Sequence, residues 1–487
     1  MTIPGMVEAR VTGGTVRGTV EAGTAVFRGI PFAAPPLGEN RFAAPRPVVP
    51  WDGVREAVSF GPPPPQAAVF GMDGIGASGD EWLTVNVWSP DLSGGLPVMV
   101  WIQGGGYTVG MSGLPEYDGT RLAADGVVVV TFNYRVGVEG FLQVDGAPAN
   151  RGLLDQVAAL EWVNANIRAF GGDPDRVTVF GQSAGGGSVA ALLAMPRAAG
   201  LFGRAIASSV PGVFFAPDLA ADIASVCAAE LGLRATAADL STVEPELLTA
   251  AGDEVMAKMT RFPRWGQAAH KRIPFAPVVD GDVLPVTPWE ALRAGAGRSV
   301  ALVAGHTRDE QRLLSVLDGL VGQITAEQAA QALEVFAPGL VYPALAPEEL
   351  FEAVCSDWLF RMPSLHLAEA QVAGGGRAHV YEVTFAPTET FRACHGLDVP
   401  LVFGNLGRGG TAAVLGEVTA ATEEVSARMR TAWSGFAIGG DPWPAHDSAH
   451  RLTRVFGVQD EVVAYPEEVS RQIWEDHVID VMSVLGE

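Results

Sequence analysis

The chain has 487 residues, 48% hydrophobic and 18% charged, with a formal net charge of −23 from 32 basic and 55 acidic side chains. This composition excludes a disordered or fibrous polypeptide. An acidic balance with no basic run argues against nucleic acid or an anionic membrane as a partner. The three cysteines, Cys227, Cys355 and Cys394, are too few and too scattered for a disulfide framework or a zinc site. No apolar run reaches membrane-spanning length, and the opening segment lacks the basic and apolar regions of a secretory leader, so a cytoplasmic protein is expected.

The first sixty residues alternate in short segments broken by turn residues, which predicts small antiparallel strands. Pro62 to Pro65 then mark a surface loop. Three continuous apolar runs follow, Leu96 to Ile102, Gly126 to Phe132 and Arg176 to Phe180. Such runs suit strands buried on both faces of a largely parallel sheet. Between the last two, Leu153, Val157, Leu160, Val163, Ile167 and Phe170 recur at steps of three and four, the apolar face of a helix. Asn150 is the expected cap at its start, and Gly171 and Gly172 end it. Residues about 212–300 and 318–375 are rich in helix formers and read as helical excursions over the sheet. Further strands are expected at Val300 to Ala304, Ala378 to Val383 and Glu461 to Tyr465. No flexible linker divides the chain, so one α/β domain over 1–487 is expected.

The segment Gly181-Gln182-Ser183-Ala184-Gly185 lies directly after a predicted strand and before an alanine-rich helical stretch. A serine between small residues at a sharp strand-to-helix turn is the context of an exposed nucleophile, with the N-terminus of the new helix favouring negative charge beside it. Taken alone, the same pentapeptide also fits a tight turn with an idle serine. A second glycine-rich turn, Gln103-Gly104-Gly105-Gly106-Tyr107, follows the Leu96 strand. Its backbone N–H groups at Gly105 and Gly106, with that of Ala184, are candidates for an oxyanion hole.

Together these pieces resemble the type-B carboxylesterase family, the cholinesterase-like branch of the α/β hydrolases, and bacterial para-nitrobenzyl esterase-like members above all. The resemblance runs through Gly29-Ile-Pro-Phe-Ala-Ala-Pro-Pro-Leu-Gly38, Asn86-Val-Trp88, Asn133-Tyr-Arg-Val-Gly137, Gly152-Leu-Leu-Asp155-Gln-Val-Ala-Ala-Leu-Glu-Trp162, Phe170-Gly-Gly-Asp-Pro and Phe275-Ala-Pro-Val-Val-Asp280. It implies the α/β-hydrolase fold, with a large mostly parallel sheet flanked by helices and a small N-terminal antiparallel sheet. It also implies a triad acid in Gly305-His-Thr-Arg-Asp309-Glu310, where spacing alone does not choose between neighbours and the family pattern selects Glu310. The family's base stands before a segment like Gly396-Leu-Asp-Val-Pro400, which selects His395 over His366, His379, His446, His450 and His477. His366 reads as structural, His379 as a strand residue and the last three as surface residues. Asp398 is a neighbour of His395 but too near in sequence to reach its ring.

The resemblance implies hydrolysis of uncharged carboxylic esters through an acyl-enzyme on Ser183, with no metal or cofactor; a monomer or small homo-oligomer is expected. Tyr107, Met111, Phe214, Phe215 and Trp358 are candidates to line an apolar pocket. Two other readings remain: a specialised hydrolase-fold enzyme acting on a lactone, a carbamate or an acyl acceptor, and a silent binding protein. The sequence departs from the family at Gln182, commonly glutamate, and at Gln103, often histidine or tyrosine. Trp82 stands where the animal members carry a disulfide cysteine.

Overall fold

A computed structural model describes residues 5–67 and 79–486, so the expected domain over 1–487 includes positions outside the described residues. Thirteen strands form one sheet. They are β1 (Met6–Val11), β2 (Gly14–Glu21), β3 (Thr24–Pro31), β4 (Val54–Glu56), β5 (Thr84–Ser89), β6 (Leu96–Ile102), β7 (Val128–Phe132), β8 (Gly172–Gln182), β9 (Arg204–Ser208), β10 (Ala301–Thr307), β11 (Arg377–Val383), β12 (Leu452–Phe456) and β13 (Asp460–Ala464). Their order is β1-β2-β3-β5-β7-β6-β8-β9-β10-β11-β12-β13, with β4 beside β2. Pairing is parallel from β7 through β12 and antiparallel at both margins, apart from the short parallel pairing of β4 with β2. The N-terminal antiparallel strands join the same sheet through β3 and β5 rather than standing apart.

The apolar runs behave as their pattern demands. Every residue of β7 is buried, as are six of the seven in β6. Helices cover both faces, and the sheet between them separates the core into two apolar clusters. The expected excursions contain helices Pro217–Ala229, Pro245–Lys258 and Pro288–Arg293, then Ala326–Phe336, Pro347–Ser356 and Met362–Ala373. Among the described residues no helix is long and apolar enough to cross a membrane.

The helix predicted from Leu153 onward spans Arg151–Asn166 and tightens into a 3₁₀ turn at Ile167–Phe170. Asn150 precedes it but does not cap it. The residue takes the left-handed conformation, and its side chain instead pairs with the backbone of Val278, donating at 2.8 Å and accepting at 2.7 Å. That bond ties the helix start to a distant segment, a tertiary use that outcompetes the local cap.

The parallel register positions the functional loops. Ile102 pairs with Gly181, Gln182 with Ser208, Gly305 with Ser208 and Thr307 with Val383. The C-terminal ends of β6, β8, β9, β10 and β11 therefore stand side by side at one edge, where loops of an α/β sheet build sites.

A fully buried ion pair pins the loop after β7 to the long helix. Asp155 accepts from Arg135 Nη2 at 2.7 Å, Nε at 2.8 Å and the Arg135 backbone N–H at 3.0 Å. Removing one partner would leave a buried charge uncompensated. Asp155→Ala is expected to lower stability by about 3–5 kcal/mol, read as a fall in the urea midpoint at unchanged slope. A loss below about 1 kcal/mol would contradict this role.

Candidate active site

Ser183 occupies the turn from β8 into helix Ala184–Ala194 with φ 60° and ψ −127°, a backbone conformation unusual for any residue with a side chain. Two backbone bonds fix it. The Ser183 N–H donates to Ser208 O at 3.0 Å, and the Gly187 N–H donates to Ser183 O at 2.9 Å. The turn also presses against β6. A Cβ at position 185 would sit 2.0 Å from the Ile102 carbonyl oxygen, so glycine is required there for steric reasons.

The loop after β6 approaches the same serine. Gly105 has φ +112°, and a Cβ there would meet Val109 O at 2.0 Å. Among the described residues the Gly105 and Gly106 N–H groups donate to no protein acceptor. Ala184 opens its helix, so its N–H is one of those a helix leaves without an internal partner. Ala184 adjoins Ser183 in the chain, and Ala184 and Gly106 line the same cavity as the serine.

Glu310 is wholly buried beyond the end of β10, and its Oε2 lies 2.5 Å from His395 Nδ1. Its other oxygen accepts from Ser209 Oγ at 2.6 Å and from the Thr307 N–H at 2.8 Å. Burial alone would push this carboxyl up, but the nearby His395 charge and the hydrogen bonds from His395 and Ser209 hold it below its ordinary value. Asp309 points elsewhere, accepting from Arg308 and from the Ala393 N–H. Asp398 accepts from Tyr381 Oη at 2.9 Å and is pushed up to about 6, by burial first and by the Glu310 charge second. Glu310 is therefore the carboxylate that engages the ring.

His395 is held on its other side by Phe360, stacked at 4.1 Å between centroids. Phe360 belongs to a π-helical turn, Asp357–Arg361, a local widening that recurs at functional sites. The buried Arg361 locks that turn by pairing with Asp357 and Glu467. No hydrogen bond joins Ser183 Oγ to the ring; instead Gln182 Nε2 lies 3.1 Å from His395 Nε2. With Nδ1–H donated to Glu310, Nε2 has one lone pair, so the Gln182 amide and the Ser183 hydroxyl compete for it.

The other histidines weighed for the base lie elsewhere. His366 and His379 are buried, and burial pushes each down to about 4. His446, expected at the surface, is also buried, and His477 is half-buried, while His450 is exposed. Ser209 and Phe360 had no distinguishing signal in the sequence. A serine after a strand and an aromatic in a helical stretch are both common.

Ser183, Ala184, Gly106, Tyr107 and His395 open onto a cavity of about 750 Å³. Among the predicted pocket residues Tyr107 lines it. Met111 is fully buried away from it. Phe214 packs edge-on against Trp289 at 5.5 Å. Phe215 is held by backbone bonds to Pro277 and Val279. Trp358 packs tilted against Phe336, 4.4 Å between centroids, and lines a neighbouring cavity. The aromatic wall comes instead from Phe275, Phe336, Phe351 and Phe360.

Comparison with known proteins agrees with this geometry. Residues 5–336 match the Carboxylesterase family. The chain is 36% identical to the para-nitrobenzyl esterase of Bacillus subtilis (strain 168), covering 94% of this chain and 96% of that protein. It is also 36% identical to the fumonisin B1 esterase of Sphingopyxis macrogoltabida, over 92% of this chain and 85% of that one. A solved PNB esterase structure superposes with a TM-score of 0.86 at 35% identity, covering 96% of this chain and 98% of that chain. A Geobacillus stearothermophilus carboxylesterase gives 0.85 at 33%, covering 96% and 99%. The chain belongs to the carboxylesterase family, a carboxylic ester hydrolase on the α/β-hydrolase fold.

Proposed function

We propose that ester hydrolysis proceeds through an acyl-enzyme on Ser183. The observation that carries this reading is the pairing of Glu310 with His395 beside a serine on a strained turn, with Gly106 and Ala184 lining the cavity that Ser183 and His395 share. Ser183 Oγ attacks the ester carbonyl and passes its proton to His395 Nε2. The Gln182 amide yields that lone pair as the substrate seats. The N–H groups of Gly105, Gly106 and Ala184 receive the oxyanion, each worth about 3–4 kcal/mol when removed in comparable sites. Glu310 holds the ring through Nδ1–H and stabilises the imidazolium. The ring then protonates the leaving alcohol, and water retraces the path to release the acid. A cytoplasmic location is proposed on the three buried free cysteines, and separately a monomer or small homo-oligomer is proposed.

Ser183→Ala is expected to reduce turnover of 4-nitrophenyl esters by at least about a thousandfold and to abolish covalent labelling by a fluorophosphonate. Retained labelling would show that another residue is the nucleophile. Glu310→Gln is expected to cost orders of magnitude in kcat, following the roughly 10⁴ lost when a serine protease acid becomes an amide. Asp309→Asn should cost far less, and the reverse ranking would assign the acid to the wrong neighbour.

Choline esters are expected to be poor substrates. The net charge of −23 attracts cations, but its reach is screened within about 8–10 Å at ordinary salt. Beside the nucleophile the side chain is the neutral Gln182, so no carboxylate stands there to hold an ammonium. The kcat/KM for acetylthiocholine should not exceed that for its neutral tert-butyl isostere at 0.15 M salt. A clear preference for the cation would contradict the reading, and Gln182→Glu should move the ratio toward it.

A further inference from the structure

The wall of the Ser183 cavity carries an unusual charge. Helix Gly266–Lys271 ends at Arg272, which takes the left-handed conformation at φ 53° and ψ 52°. The Ile273 N–H closes back on Ala268 O at 3.0 Å and the Arg272 N–H on Ala269 O at 3.3 Å. Glycine usually makes this closure, and a residue with a Cβ pays about 1–2 kcal/mol to do so. The turn delivers His270, Lys271 and Arg272 together to the cavity that holds Ser183 and His395.

Lys271 is fixed in that wall. Its Nζ donates to Gln311 Oε1 at 2.7 Å and stands 5.7 Å from the centroid of Phe336, and both partners line the cavity. Neither contact neutralises the ammonium. The sequence has only two lysines. The other, Lys258, pairs with Glu230 and Glu254, whereas Lys271 has no carboxylate within ion-pair distance among the described residues. Arg272 is exposed and likewise makes no ion pair among them. In a chain where acids outnumber bases 55 to 32, the described lining of this cavity reverses the balance, with Lys271 and Arg272 against the single carboxylate of Asp318.

A half-buried cation without a carboxylate lacks the partner that usually offsets its lost hydration. Within a Debye length of about 8 Å, the two local cations act on a bound group more strongly than the screened field of the distant acids. Arg272 adds the planar fork that suits a carboxylate, and Lys271 a point charge.

We propose that the favoured substrates are esters bearing a second, free carboxylate remote from the scissile bond, and that Lys271 and Arg272 receive that carboxylate while the ester carbonyl lies at Ser183. This assignment rests on the Ser183 cavity being the ester site, and it replaces the uncharged esters expected from the sequence with anionic ones.

The test compares charged and neutral isosteres at 0.15 M salt. On the acyl side, 4-nitrophenyl hemisuberate is paired with its terminal carboxamide. On the alcohol side, O-acetylated 3-(4-hydroxyphenyl)propionate is paired with its carboxamide. In at least one pair the carboxylate should be favoured in kcat/KM by about fivefold or more. In the double variant Lys271→Met with Arg272→Asn that ratio should fall toward one; asparagine tolerates the left-handed turn and methionine keeps the apolar stem. Arg272→Asp, at an exposed position, supplies a second variant and should push the ratio below one. A wild-type ratio of one or less in both pairs, or a preference unchanged in the variants, would overturn the proposal. If the carboxamide esters are then still hydrolysed in a Ser183-dependent way, the esterase mechanism stands without it. If the wild type turns over none of the four esters, both fail.

Discussion

The site depends on one backbone constraint. Ser183 is held at φ 60° and ψ −127°, a conformation costing on the order of 1–3 kcal/mol that survives only where the surroundings over-determine it. Those surroundings are the registers of three parallel strands. Ile102 pairs with Gly181, and Gln182 pairs with Ser208, whose carbonyl also accepts the Ser183 N–H. The small residues around the serine follow from this packing, because the Ile102 carbonyl already fills the space a side chain at 185 would need. The same closeness brings the glycine turn after β6 alongside, so the strain and the proposed oxyanion donors share one structural origin.

From that fixed point the other groups are placed by the order of the sheet. Glu310 follows β10 and His395 follows β11, one and two strands beyond β9. The acid is buried, and four donors or charges surround it: Ser209, the Thr307 N–H, His395 and, further off, His306. A buried carboxylate is tolerable only with such partners. The imidazole is clamped by this acid at one nitrogen and by the Phe360 face on its plane, which leaves Nε2 as the atom free to exchange partners between Gln182 and the serine. The aromatic clamp itself depends on a π-helical turn locked by Arg361, so a charge cluster outside the cavity governs the orientation of a ring inside it.

Much of this was legible in the residues. The continuous apolar runs gave β6, β7 and the end of β8, and the 4-3-3-4-3 pattern gave helix Arg151–Asn166, because burial on two faces or one leaves a periodic mark. β9 (Arg204–Ser208) and β12 (Leu452–Phe456) left no such mark, being five residues each with small or charged members. Asn150 misled because a cap is a local expectation and the side chain found a distant backbone partner. The pocket was the least legible part. Phe214, Phe215 and Trp358 are indistinguishable by type from Phe275, Phe336 and Phe360; which of them faces the cavity is decided by contacts between segments far apart in the chain, as in Phe215 beside Val278 and Met482. The cationic wall was hidden for the same reason, since Lys271 and Arg272 gain meaning only once Ser183 lies across from them.

The central claim is that Ser183 carries the acyl group during turnover. Its most direct measurement is acid quenching of the enzyme within milliseconds of mixing with excess 4-nitrophenyl ester, followed by peptide mass spectrometry of the digest. The account predicts an acyl mass increment on the peptide containing Gly181-Gln182-Ser183-Ala184, localised to Ser183 and vanishing as substrate is exhausted. Rapid release of 4-nitrophenol with the acyl group on another residue, or on none under conditions where deacylation limits the rate, would contradict it.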